Sequence, residues 1–188
     1  MTRDAPATKA RILEAAGDEF AEYGLAGARV DRLAARAGAN KERIYANFGS
    51  KEALFDATVA ANIEELLDTV PFEAQDLPGY ATRMFDFTLT HPQLLRLALW
   101  HSLERPGLLE RLPQTIESTV AKVQSLAAAQ HAGLVDDTLP PERLITVILG
   151  LVYSGLILAP PPEDATEVAA QRETLRVAVG RVIAPGSS

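Results

Sequence analysis

The sequence predicts an all-α protein, and three observations support this fold class. Apolar residues recur three and four positions apart along most of the chain, the spacing that places them on one face of a helix. No segment of useful length alternates apolar and polar residues as a half-buried strand does. With 188 residues, 47% of them apolar, the chain is long enough for one or two domains with a substantial core.

Nine helices are expected, and most of their ends coincide with glycine or proline. Glycine tolerates the left-handed backbone that commonly ends a helix, and proline cannot continue one. Gly24 closes the first helix, and Pro71 stops the fourth. Pro92 opens the sixth helix, and Gly133 ends the seventh. The predicted helices span, in order, about residues 8–23, 30–37, 41–47, 51–69, 80–90, 92–104, 113–131, 141–159 and 163–183.

The second and third helices are short and are joined by a tight turn. Gly38 supplies the left-handed residue of the turn, and Asn40 is a good N-cap because its side-chain oxygen can accept from an amide one turn on. Ala34 and Gly38 are small enough for the two helices to approach closely. Ile44 and Phe48 are expected to face the core. This pattern predicts a helix-turn-helix.

The eighth helix contains sixteen consecutive residues without a charge, 144–159. A membrane-spanning helix needs about 20, and prolines flank this stretch closely on both sides. A helix that is apolar all round is instead expected to be buried on several sides in a globular protein.

Positive charge is concentrated around the helix-turn-helix. Between Arg29 and Lys51 there are six Lys or Arg residues and two acids, which gives +4 in a chain whose formal net charge is -7. An acidic protein can bind DNA only where its positive charge is gathered against the phosphates. The charge distribution therefore predicts that this segment binds DNA and that the acidic remainder of the chain is repelled by the DNA phosphates.

Several classes of protein are disfavoured by what the sequence lacks. The absence of cysteine excludes disulfides and thiolate metal sites, and the three histidines have no ligand-type spacing. There is no glycine-rich phosphate loop, no Gly-x-Ser-x-Gly and no His-Glu-x-x-His, so we expect neither an enzyme nor a cofactor or metal site. The N-terminus has no apolar signal segment, and we expect a cytoplasmic location.

Residues 8–58 resemble the DNA-binding region of the TetR family of bacterial transcriptional repressors. The resemblance rests on TKARILEAAGDEFAEYG, LAARAG, IYANF and GSKEALF, in the family's order and spacing. Ala28-Arg29 replace the usual Thr or Ser at the start of the second helix, so Arg29 is the candidate phosphate donor there. Asn47 stands where an aromatic residue or His is more common. The resemblance implies a DNA-binding domain over residues 1–51 and a helical ligand-binding and dimerisation domain over 52–188.

The candidate DNA contacts follow from position and chemistry. Side chains at the N-terminal end of a recognition helix reach base edges in the major groove, where Asn pairs with adenine and Lys or Arg with guanine. In the family, the positions that match Tyr45 and Lys51 commonly touch the phosphate backbone. The predicted DNA-binding residues are Arg29, Arg32, Asn40, Lys41, Glu42, Arg43, Tyr45, Asn47 and Lys51.

The resemblance also implies a small-molecule effector in a cavity among the middle helices. Bulky apolar groups with a few polar tips are typical of such pockets, although each is also an ordinary core residue. The candidate ligand-binding residues are Tyr80, Met84, Phe87, Trp100, His101 and Tyr153.

We therefore predict a homodimer, formed through the eighth and ninth helices, that binds a pseudo-palindromic operator and releases it when an apolar or aromatic effector binds. The alternative is a dimeric DNA-binding protein without an effector.

Overall fold

The computed structural model describes residues 5–158 and 162–185 and confirms the all-α class. These residues form nine α-helices and one short 3₁₀ turn, Leu109–Arg111, with no strand among them. The helices are α1 (Ala5–Gly27), α2 (Val30–Ala37), α3 (Lys41–Phe48), α4 (Lys51–Thr69), α5 (Leu77–Thr90), α6 (Pro92–Glu104), α7 (Pro113–His131), α8 (Pro141–Ile157) and α9 (Ala165–Ile183).

Several helix ends differ from the sequence-based expectation, the first of them at α1, which begins at Ala5 rather than Thr8. The predicted stop at Gly24 is a break inside α1, with φ 68° and ψ -179°, and the helix resumes after it and ends at Gly27. Helix α5 begins at Leu77 rather than Tyr80, because proline is well tolerated in a first turn, where its missing amide has no partner to lose. Helix α9 begins two residues later than expected, where the Asp164 side chain accepts from the amides of Thr166 and Glu167. The predicted end of the eighth helix at residue 159 lies outside the described residues.

The chain divides into two compact units. Unit 1 contains Met1–Leu66 and His91–Ile116, and unit 2 contains Leu67–Thr90 and Glu117–Ser188. Unit 1 therefore joins α6 and most of α4 to the first three helices, whereas the predicted functional boundary lay between residues 51 and 52. That boundary, drawn by function, stays a prediction.

Unit 1 is built around α1, which packs against α2 and α6. The apolar stripe of α1, including Ile12 and Phe20, is fully buried. Phe20 meets Phe55 of α4 edge-to-face, with ring centroids 5.0 Å apart. Burial of side chains this large is the main favourable contribution to folding of the unit.

The break at Gly24 is held by side chains of α6. The Glu104 carboxylate accepts hydrogen bonds from the amides of Leu25 and Ala26. On the other side of the break, the Ala21 carbonyl oxygen accepts from Arg96 Nε at 2.7 Å and from Trp100 Nε1 at 3.3 Å. Backbone groups left without helical partners at the break thus find side-chain partners.

In unit 2, α5 packs against α8 and α9, and α8 packs against α9. Helix α8 buries Leu144, Ile148 and Val152, but Val147 and Ile157 are exposed. One face of this apolar helix is therefore uncovered within the single chain. Across residues 5–158 and 162–185, no helix is both long and apolar enough to cross a membrane.

Candidate nucleic-acid interface

The turn between α2 and α3 has the predicted geometry. Gly38 adopts the left-handed conformation, with φ 58° and ψ 38°, and the amide of Ala39 donates to the Ala34 carbonyl. Asn40 caps α3, its Oδ1 accepting from the amide of Arg43 at 2.8 Å. Ile44 is fully buried and fixes the rotation of α3 about its axis. Together these contacts determine which side of α3 faces solvent.

The outward face of α3 carries the predicted contacts. Lys41, Glu42 and Arg43 are exposed, and Tyr45 is 44% exposed. Asn47 is also exposed, but its amide nitrogen donates to the Arg43 carbonyl at 2.6 Å. The face therefore presents cationic and hydrogen-bonding groups at the end of the helix that a recognition helix turns toward bases.

Lys41 is paired within the chain. Its Nζ lies 2.6 Å from Oδ1 of Asp31 on α2, and the hydrogen bond and charge of Asp31 raise the pKa of Lys41. Exposed ion pairs of this kind are weak. The pair with Asp31 is therefore no obstacle to other contacts of Lys41, and contact between Lys41 and DNA stays a prediction.

Arg32 has a different environment from the one expected. Its Nη2 lies 2.6 Å and its Nε 3.0 Å from Oε1 of Glu19, and its guanidinium lies 3.9 Å from the centroid of the Tyr23 ring. These contacts give Arg32 a positioning role that ties α2 to α1. Contact between Arg32 and DNA stays a prediction.

Glu19 is the buried partner of this pair, with 1% of its side chain exposed. Burial alone raises its pKa, but the hydrogen bonds from Arg32 and from the backbone amide of Arg29 outweigh burial and lower the pKa. The carboxylate is therefore charged at neutral pH, and it anchors the start of α2, where the Arg29 side chain remains exposed.

Lys51 also makes contacts inside the chain. Its Nζ lies 3.2 Å from the Ala28 carbonyl oxygen and 3.4 Å from that of Ala26. The ammonium thus meets carbonyls at the C-terminal end of α1, as cations near helix C-termini do. Beside it, Ser50 caps α4 by accepting from the Ala53 amide at 3.0 Å. The phosphate contact of Lys51 stays a prediction.

Arg11 is a cation at this surface that sequence reasoning missed. An open cleft is lined by Thr8 and Arg11 of α1 together with Asn40 and Arg43 at the start of α3. Arg11 precedes the buried Ile12 and is exposed, so it points away from the core stripe. The available signal was a basic residue on the polar face of α1, outside the segment 29–51 where charge was counted.

The six candidate ligand residues fall in different units. Tyr80, Met84 and Phe87 are buried in unit 2, which also contains Tyr153, whereas Trp100 and His101 belong to unit 1.

In unit 1, the Trp100 ring packs on the break in α1. Burial lowers the pKa of His101, and its Nδ1 has no hydrogen-bond partner among the described residues. Ligand binding by all six residues stays a prediction.

Comparison with known proteins agrees with this arrangement. Residues 12–58 match the model of bacterial regulatory proteins of the tetR family, and residues 76–181 match that of the tetracyclin repressor-like C-terminal domain. The HTH-type transcriptional repressor SCO4008 of Streptomyces coelicolor is 40% identical over 159 residues, covering 83% of this chain and 82% of its own length.

Two further relatives extend the comparison. The HTH-type transcriptional regulator RutR of Escherichia coli O157:H7 is 27% identical over 174 residues, covering 88% of this chain and 81% of its own. The crystal structure of the transcriptional regulator SCO4942 of Streptomyces coelicolor has a TM-score of 0.81 and 34% identity, covering 94% of this chain and 98% of that one. With its capped helix-turn-helix and a C-terminal match over more than half its length, the chain belongs to the TetR family of helix-turn-helix transcriptional regulators.

Proposed function

We propose that the protein is a ligand-responsive repressor in the cytoplasm, without catalytic activity, that binds a pseudo-palindromic operator as a homodimer. The observation that carries the proposal is the outward face of α3, where Lys41, Arg43 and Tyr45 are exposed beside the Asn40 cap. A fixed helix with exposed hydrogen-bonding groups at its start is suited to reading base edges. Operator sites selected by the protein from randomised duplexes should contain two related half-sites one helical turn or more apart.

Replacing Lys41 and Lys51 separately should distinguish base reading from phosphate contact. Lys51→Ala should weaken binding to selected and scrambled duplexes alike and lower the salt slope by about one per subunit, because one phosphate contact is lost. Lys41→Ala should also relax the preference at particular base pairs, by about 1–3 kcal/mol. Fluorescence anisotropy against single-base variants of the selected site, at several salt concentrations, measures both effects.

Asp31→Asn is the control for Lys41. It removes the negative charge opposite the ammonium but leaves the ammonium in place, so base preference should persist. Equal losses on selected and scrambled duplexes for Lys41→Ala would contradict its assignment to bases.

The uncovered face of α8 supports dimerisation through α8 and α9. Val147, Gly150, Ser154 and Ile157 recur three and four positions apart on this face, and all are exposed in the single chain. Small residues in such a stripe allow close helix approach, and on α9 Val177 is also exposed. A stable interface should bury about 800 Å² from each partner.

Gly150→Arg should convert the dimer to a monomer. A Cβ at Gly150 meets no atom within 4 Å in the chain, so the isolated subunit can accommodate the side chain while a partner helix cannot. Operator affinity should fall by about a hundredfold or more, because the two half-sites are no longer bound as one unit. Sedimentation velocity and anisotropy measure the two changes.

Ser125→Arg introduces the same charge at an exposed position of α7 and should leave both properties unchanged. A Gly150→Arg variant that still sediments as a dimer would contradict this interface.

We further propose that a small effector releases the operator. A small apolar or aromatic molecule that lowers operator affinity about a hundredfold requires roughly 2.7 kcal/mol of coupling between the two sites. Loss of operator binding on addition of such a molecule tests this directly. If the protein has no effector, a small molecule that saturates its binding site should leave the affinity for the operator unchanged.

A further inference from the structure

A lysine in unit 2 has an environment that the regulator's DNA-binding role does not explain. Lys122 of α7 is half-buried, and its Nζ lies 3.4 Å from the hydroxyl oxygen of Tyr80. The same ammonium lies 5.5 Å from the centroid of the Tyr80 ring and 5.8 Å from that of Phe72. These two rings meet edge-to-face, with centroids 5.0 Å apart. The ammonium therefore lies at the edge of an aromatic cluster.

This ammonium has no carboxylate partner among the described residues. Each of the ion pairs found there uses another cation, and burial lowers the pKa of Lys122 with no acidic group opposing the shift. Removing a charge from water is costly unless it is paired, and attraction to two rings replaces only part of the lost hydration. The Lys122 ammonium thus lacks a countercharge in the cluster, and a bound anion would supply one.

The neighbouring phenols supply hydrogen-bond donors. Burial raises the pKa of Tyr80 to about 12, and burial also raises the pKa of Tyr153, so both hydroxyls keep their protons. The Tyr80 oxygen accepts from Lys122, and its own hydrogen remains available to a further acceptor. An ammonium and a phenolic hydroxyl in contact form a pair of donors suited to the two oxygens of a carboxylate.

We propose that Lys122 and Tyr80 bind the carboxylate of a small aromatic acid, whose ring packs against Phe72. The proposal rests on the proposed function, because it identifies the effector of that function as an anion. Lys122 provides the charge, Tyr80 the second hydrogen bond, and the aromatic cluster the apolar contact. None of the six candidate ligand-binding residues predicted from the sequence carries a permanent positive charge, and the isolated Lys122 gave no pattern to detect.

Calorimetric titration with three acids tests the site directly. Benzoate, phenylacetate and 1-naphthoate are each compared with the corresponding primary amide, which has a similar shape and no charge. At least one acid should bind the wild-type protein about 10- to 100-fold more tightly than its amide. Lys122→Met retains an unbranched apolar stem beside the rings and should remove this difference, because it weakens binding of the acid far more than binding of the amide.

Lys9→Met is the matched control. Lys9 also lies over a ring, 5.9 Å from the centroid of Phe48, but it belongs to unit 1, so acid binding should not change. Tyr80→Phe keeps the ring and removes the hydroxyl, and it should weaken the acids about tenfold even if Lys122→Met does not fold.

Three outcomes would overturn the site: no acid binds, acid and amide bind equally, or folded Lys122→Met binds the acids as wild type does. Operator release is measured separately. An acid that binds through Lys122 without releasing the operator supports the anion site and contradicts its role as an effector site. Release by a ligand that is insensitive to Lys122→Met supports the ligand-responsive repressor and overturns the carboxylate proposal.

Discussion

Gly24→Ala is expected to lower the free energy of unfolding by about 3–5 kcal/mol, since two costs add at one position. Gly24 has φ 68° and ψ -179°, a region almost restricted to glycine. An added Cβ would also lie 2.8 Å from Cε3 of Trp100 and 3.0 Å from Oε2 of Glu104. These atoms cannot withdraw freely, because Trp100 and Glu104 hydrogen-bond the backbone on either side of the break. Urea denaturation followed by circular dichroism measures the loss.

Gly38→Ala separates the cost of the backbone conformation from the cost of the steric clash. Gly38 also has a positive φ, 58°, but a Cβ there would meet no atom within 4 Å. Its replacement should cost only about 1 kcal/mol, the penalty of the left-handed conformation. Equal losses for the two variants would show that α6 does not hold the break as described.

Glu19→Ala should lower the free energy of unfolding by about 2–4 kcal/mol, because it removes the buried acceptor of three donors. Two of these donors belong to the Arg32 guanidinium, and the third is the amide of Arg29. Arg32 keeps 39% of its side chain exposed and can regain some water, which places the loss below that of a fully buried pair. Operator affinity should fall as well, since α2 loses its polar anchor on α1 while the apolar contacts between the two helices remain. Fluorescence of Trp100, the only tryptophan, follows unfolding of unit 1.

The pH dependence of stability provides a second measurement of the same pair. The pKa of Glu19 is lowered in the folded protein, so its stabilising contribution is complete above its ordinary value of 4.5. That contribution should be lost as the pH falls from about 4.5 through the lower folded-state pKa. Glu19→Gln is uncharged at every pH, and its stability should change less over this window. An identical acid profile for the two proteins would contradict the assignment of Glu19.

Local chemistry was sufficient to predict most of the helices and the helix-turn-helix. The left-handed Gly38 and the cap at Asn40 each depend on one residue and its immediate neighbours. The spacing of apolar residues likewise places Ile44 inward and Tyr45 outward on α3. Periodicity and capping act within a few residues, and the sequence displays them directly. The start of α5 was missed by three residues, because a proline in a first turn resembles a helix stop.

The tertiary structure decided the partners of the charged side chains. Arg32 belongs to the basic segment 29–51, yet its guanidinium binds Glu19, thirteen residues earlier. Gly24 looked like a simple helix end, but Glu104 and Trp100 hold the break from almost eighty residues away. Lys122 meets Tyr80 across a separation of 42 residues. The sequence shows which charged groups the chain contains, but long-range packing decides which groups become partners. Packing sets the distances between charges and the local dielectric, and these determine the energy of each charge.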